Sequence, residues 1–232
     1  MGLFDFFKRS TASRELSASK DLTPAEKDLL SRISKINARG ENITPELYQQ
    51  LRDFEMDWLE RHYDFNTIEG VNAIPIRGDL PGAPAPNSSI KGHTGEVYYY
   101  LRYKAYKHEE TGNTELALAC MKKSVALVKC RSYYFIDDCY PLAKMLARAG
   151  YVKEAYREKH LADLVFPALA MSDSIIEDEI KRGNEARDFA WLQINIPEQC
   201  PKSLSGYRRM KTQNSKNYQF LKARAAELGR SI

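Results

Sequence analysis

Apolar side chains recur every three or four positions along most of this chain, the spacing of helices with one buried stripe. Leu29, Leu30, Ile33 and Ile36 form the first stripe. Thr23-Pro24-Ala25-Glu26 opens it as a capping box with proline in the first helical position, and Gly40 closes it. Thr44-Pro45-Glu46 opens a second helix with the stripe Leu47, Leu51, Phe54, Trp58 and Leu59. The short Gly-Glu-Asn link between them predicts an antiparallel pair. Residues 64–94 break the rhythm with Gly70, Pro75, Gly78, Pro81, Gly82, Pro84, Pro86 and Gly92, and predict a long non-helical connection. Within it, Val71 to Ile76 is apolar enough to lie against the helical body.

The helical period resumes at Gly95. It predicts helices over about 95–110, 114–129, 133–149, 151–166 and 172–192, with turns at Thr111-Gly112-Asn113 and Ala149-Gly150. Pro197 and Pro201 interrupt. Two short helices follow, about 203–212 and 215–228, the second capped by Ser215 and closed by Gly229. The expected fold class is all-α. The expected organisation is a mobile N-terminal segment (1–21), an N-terminal helix pair (22–63), a Pro/Gly-rich connection (64–94), helical repeats (95–192) and a basic C-terminal helical segment (193–232).

The repeat lies in small residues around two glycines, Gly112 and Gly150, set 38 apart. Ala105 and Ala143 precede them by seven, Ala117 and Ala155 follow by five, and Ser124 and Ala162 by twelve. Leu127 and Val165 follow by fifteen. Small residues at these spacings let two antiparallel helices approach closely while larger ones fill the grooves beside them. This pattern resembles tetratricopeptide (TPR) repeats, whose unit is a helix–turn–helix of about 34 residues. Residues 136–167 match better, with Leu142-Ala143, Gly150, Ala155, Ala162 and Pro167. Residues 98–129 depart, with Lys104 where the family has Leu and His108 where it has an aromatic residue. The run from Gly95 to Ser124 is also similar to uncharacterised bacterial proteins, some of them in mobile elements.

The resemblance implies a short TPR-like helical-hairpin array whose first helices line a concave, partner-binding face. Those helices carry Tyr99, Arg102, Tyr103, Tyr106 and Lys107, then Tyr140, Lys144 and Arg148. Tyrosine and arginine are common interface anchors. Lys144 and Arg148 share a helix face and could hold a carboxylate, as in the family's peptide-clamping members. Each of these residues has a plainer fate, in which the tyrosines are core and the cations a solvated surface. Eleven aromatics between Tyr98 and Tyr156 are nevertheless more than two hairpins bury with satisfied hydroxyls. The expected function is a non-catalytic adaptor for a protein or peptide, with no cofactor.

Charge adds a competing idea. Residues 201–232 hold eight cations and one acid, so the tail carries +7 of a net +4 and the other 200 residues carry −3. Arg208, Arg209, Lys211, Lys216 and Tyr218 interleave cations with an aromatic ring, as single-strand nucleic-acid binders do. The alternatives for the tail are docking on the acidic body or plain solvation.

Catalytic chemistry finds little support. The P-loop, dinucleotide, zinc-protease and nucleophile-elbow motifs are missing. His108 with Glu109-Glu110 sits before a turn, where solvated charge is ordinary, and His93 has no partner in view. Glu177-Asp178-Glu179 suits a polar helix face, and Asp137-Asp138 suits a helix start. Cys120, Cys130, Cys139 and Cys200 form no C-x-x-C pair, so no structural metal is expected, and Cys120 and Cys139 fit a core. Gly2 to Phe7 is apolar, but Lys8 and Arg9 follow it, unlike a secretory signal. It suits either packing on the body or a shallow interfacial anchor. No apolar run is long enough for a transmembrane helix, and a cytoplasmic setting is expected.

Overall fold

A computed structural model describes residues 22–76, 97–130, 136–165 and 167–232, with backbone alone at 129–130 and 136–139. Expectations for residues 1–21, for His93 and the connection beyond residue 76, and for residues 131–132 lie outside the described residues. So do those for the side chains of Cys130, Asp137, Asp138 and Cys139. All regular structure among the described residues is helical, and none of these helices is long and apolar enough to cross a membrane. The chain divides at residues 134/135 into two compact units, between the two hairpins of the expected repeat segment.

The first unit holds α1 (Pro24–Ala38), α2 (Pro45–His62), α3 (Ile68–Ala73), α4 (Val97–Glu110) and α5 (Thr114–Cys130). The capping box forms as expected. Thr23 Oγ1 accepts from the Glu26 amide at 3.3 Å, and Glu26 Oε2 accepts from the Thr23 amide at 2.7 Å. The other Glu26 oxygen takes Arg61 Nη2 at 2.6 Å, fastening the start of α1 to the end of α2. The whole α2 stripe from Leu47 to Leu59 is buried. Each large apolar side chain so removed from water contributes about 1.5–3 kcal/mol.

Helix α3 corrects the expectation of a wholly non-helical stretch after residue 63. Thr67 caps it by accepting from the Gly70 amide at 3.0 Å. Lys123 Nζ closes its other end, donating to the carbonyls of Asn72 and Ile74 at 2.9 and 2.7 Å. Buried Val71 and Ile74 hold the segment in place, and α3 packs on α5. Local capping and tertiary burial together override the weak helix propensity of a Gly-containing hexamer.

The second unit holds α6 (Ile136–Ala149), α7 (Val152–Val165), a 3₁₀ turn (Pro167–Leu169), α8 (Ser174–Asn195), α9 (Leu204–Thr212) and α10 (Lys216–Glu227). The two hairpins, α4/α5 and α6/α7, turn by the same device. Gly112 (φ +80°) donates to Glu109 O and Asn113 donates to His108 O; Gly150 (φ +94°) donates to Ala147 O and Tyr151 donates to Leu146 O. That pair of bonds is the Schellman motif, which needs a residue at ease with positive φ. Ala105, Ala117, Ser124, Ala143, Ala155 and Ala162 are all buried, as close helix approach requires. Leu127 and Val165 part company, at 0% and 51% exposure.

Helix α8 is the spine of the second unit. At 22 residues it spans about 33 Å. Its first half presents Ile176, Glu179 and Gly183 to α6. Gly183 is pressed so close that an added Cβ would lie 2.1 Å from the carbonyl oxygen of Arg148. The second half turns another face, Glu185, Asp188 and Leu192, continued by Ile196 just past its end, towards α9 and α10. There Leu192, Ile196, Tyr207, Tyr218 and Leu221 form one apolar cluster.

Candidate binding face on α4 and the anchored basic tail

Helix α4 has two faces of opposite fate. Val97, Tyr100, Leu101 and Ala105 are buried. Tyr99, Arg102, Tyr103 and Tyr106 fall at i, i+3, i+4 and i+7, the spacing of a second stripe. Tyr99 and Tyr106 are exposed and Tyr103 and Arg102 half-buried. The sequence-predicted residues of this helix therefore share a face, with Lys107 at its margin. Lys107 Nζ bonds Glu110 at 2.9 Å and lies 5.9 Å from the Tyr103 ring centre. The hydrogen bond and charge of Glu110 raise the Lys107 ammonium above its usual value.

Beside this stripe, between α2 and α4, lies a hollow of about 400 Å³. Tyr103 lines it and so belongs to both features; Met56, Asp57, Glu60 and Lys104 line it as well. Glu60 is its electrostatic centre. It pairs with Lys104 and accepts the Tyr100 hydroxyl at 2.8 Å. Burial works to raise the Glu60 carboxyl, but bonds from Lys104 and Tyr100 outweigh it and hold the group below its usual range. Burial first, and then the bond to Glu60, push the Tyr100 hydroxyl far above its usual value.

Met56, Asp57, Glu60, Tyr100 and Lys104 were not among the predicted site residues. The signal for them was the departure at Lys104: an ammonium at a position that packs leucine in the resembled repeat needs a counter-charge nearby. His108 faces the backbone of the loop before α3. Its Nε2 lies 3.0 Å from the Phe65 carbonyl and ties the loop before α3 to α4.

In the second unit the predicted partner-binding residues turn inward. Tyr140 is buried; its hydroxyl donates to Asp163 at 2.5 Å and accepts from the Met171 amide at 3.3 Å. Burial, then Asp163, raises that hydroxyl above its usual value. Asp163 also bonds Lys159, a buried ammonium that reaches Asp173 at 2.9 Å. Arg148 meets Glu179 at 2.8 Å, which corrects the picture of Lys144 and Arg148 as an open carboxylate clamp. Lys144 stays half-buried. Glu179 is itself a correction. Glu177 and Asp178 are exposed as expected of a polar face, but Glu179 is buried between Arg148 and Arg182.

Three of the tail's eight cations are held by α8. Arg208 Nε bonds Glu185 at 2.9 Å. Lys211 and Arg230 reach the two oxygens of Asp188 at 3.7 and 3.2 Å. Tyr218 is buried, with its hydroxyl 3.3 Å from the Ile232 carbonyl, so it offers no stacking platform. Arg209 and Lys216 are exposed and make no ion pair among the described residues. Of the possible fates of the tail, these contacts are those of docking on an acidic helix.

Among the described residues no group of His, Cys, Asp and Glu could hold a metal ion. Burial pushes the Cys120 thiol up to about 12, which leaves no thiolate for chemistry at neutral pH. Compared with family models, with curated proteins and with solved structures, the chain matches none of them.

Proposed function

We propose that this chain is a non-catalytic adaptor of the cytoplasm that binds a protein or peptide through the α4 face of its first unit. The observation that carries this is the stripe Tyr99, Tyr103 and Tyr106, of which Tyr99 and Tyr106 are 43% and 37% exposed on a helix whose opposite face is core. Tyrosine supplies large, rigid contact area at small entropic cost, and that exposure is wasted unless a partner covers it. The adjoining hollow adds concavity. The matched Schellman turns and buried small residues support the resemblance to TPR hairpins, which are binding scaffolds.

The test is affinity capture from the native cell with the wild type and with Tyr99→Ser/Tyr106→Ser. Neither side chain belongs to the core, so the double variant should still fold, which circular dichroism and denaturant titration check. A partner recovered by the wild type and lost with the double variant supports adaptor function. Equal recovery by a folded double variant overturns it.

A further inference from the structure

The α4 face sits next to an acidic rail, and this combination selects one kind of occupant. On α2, Glu46, Asp53 and Asp57 are exposed at spacings that keep them on one side of the helix. Gln49 Nε2 donates to Asp53 at 2.7 Å, and no cation pairs with any of the three among the described residues. Asp57 lines the hollow. The other charges of the lining are already matched, Glu60 by Lys104 and Lys107 by Glu110. Asp57 is therefore the lining carboxylate left without a counter-ion among the described residues, in a hollow that also holds the thioether of Met56 and the Tyr103 ring.

Resting on the adaptor function above, we propose that the occupant of the hollow is an arginine or lysine side chain of a basic peptide segment in the partner protein. Its alkyl stem lies on Met56, its cationic head pairs with Asp57 beside the Tyr103 ring, and neighbouring cations of the segment follow Asp53 and Glu46. A carboxylate attracts the head, a tyrosine face adds a cation–π contact, and a thioether accepts the stem. An acidic peptide or a nucleic-acid backbone would instead meet the rail with like charge.

The test selects a random twelve-residue peptide library on the immobilised full-length protein, then measures affinities of the enriched peptides by fluorescence anisotropy. Enriched sequences should carry Lys or Arg at a fixed position. Their affinity should fall at least tenfold with Asp57→Lys, about fivefold with Tyr103→Leu, and severalfold when salt rises from low to physiological strength. Asp57 is exposed, so the charge reversal does not threaten the fold. Enriched peptides without basic residues, or basic ones indifferent to Asp57→Lys, overturn this inference and leave the adaptor function standing if Tyr103→Leu or the Tyr99/Tyr106 double variant still weakens them. Failure to enrich any peptide, together with unchanged cellular capture by the double variant, overturns both.

Discussion

Helix α4 in the first unit and helices α9 and α10 in the second are written in the same letters, tyrosine among lysine and arginine, and they end in opposite states. On α4, Tyr99 and Tyr106 face water. On α9 and α10, Tyr207 and Tyr218 are core, and Arg208 and Lys211 are tied down. The difference lies across the interface. Helix α8 offers Glu185 and Asp188 beside an apolar strip of Leu192 and Ile196, so the tail can bury rings and neutralise cations at once. The stripe of α4 has no such platform among the described residues of its unit. A basic, aromatic helix is thus a surface or a core element according to what faces it.

The largest expected effect tests whether the second unit depends on α8 as its spine. Gly183→Ala would place a methyl 2.1 Å from the backbone oxygen of Arg148, where no rotamer change gives relief. Chemical denaturation should show a loss of about 3 kcal/mol, and hydrogen exchange should show faster opening of α6 and α8. A loss below about 1 kcal/mol would mean that α6 and α8 part without cost, and the contrast with α4 would lose its footing.

Asp188→Asn tests the tail directly. It removes one charge that serves two cations, each with about a third of its side chain still in water. That exposure puts the cost at about 2 kcal/mol, less than for a dry ion pair. Protection of α9 and α10 in hydrogen exchange should fall before that of α6 and α7. If protection is unchanged, the apolar cluster alone docks the tail. A smaller effect checks the local grammar of the first unit: Thr23→Ala removes the cap of α1 and should cost about 1 kcal/mol by denaturant titration.

Helices, turns and caps were legible because their signals are local. Thr23, Thr44, Ser203 and Ser215 all cap the helices that follow them, and helix ends lie within three residues of those expected. Burial of the small repeat positions was legible for the same reason: spacing alone places them on one face. Helix α3 was hidden because its hold comes from Lys123, 51 residues from the carbonyl of Asn72. The fate of charges was hidden too. Glu179, Glu185 and Asp188 look like solvated helix surface until the fold brings arginine or lysine from other segments to them. Tyr140 and Arg148 were half legible: their residue types suit an interface, and the interface they join is internal.

The smallest expected effect concerns the charge that braces α4. The Glu60 carboxyl is held below its usual value of 4.5 by Lys104 and Tyr100 against the upward pull of burial. A group whose folded pKa is depressed stabilises the fold fully above its unfolded pKa and loses that contribution as pH falls through the folded one. The wild type should therefore weaken on acidification below about pH 4.5. Glu60→Gln keeps an acceptor for Tyr100 but cannot ionise, and it leaves Lys104 without its counter-charge. Its stability should be slightly lower at pH 7, by about 0.5 kcal/mol because the amide oxygen still accepts from Tyr100 and Lys104, and flatter on the acid side, so that the two curves converge as Glu60 protonates. The reporter is Trp58, buried on α2 two residues before Glu60, read by fluorescence in a Trp191→Phe background. Parallel acid curves for the two proteins would show that Glu60 carries no linkage to folding. The brace of α4 would then be apolar contact alone, and its difference from the charge-anchored tail would be sharper.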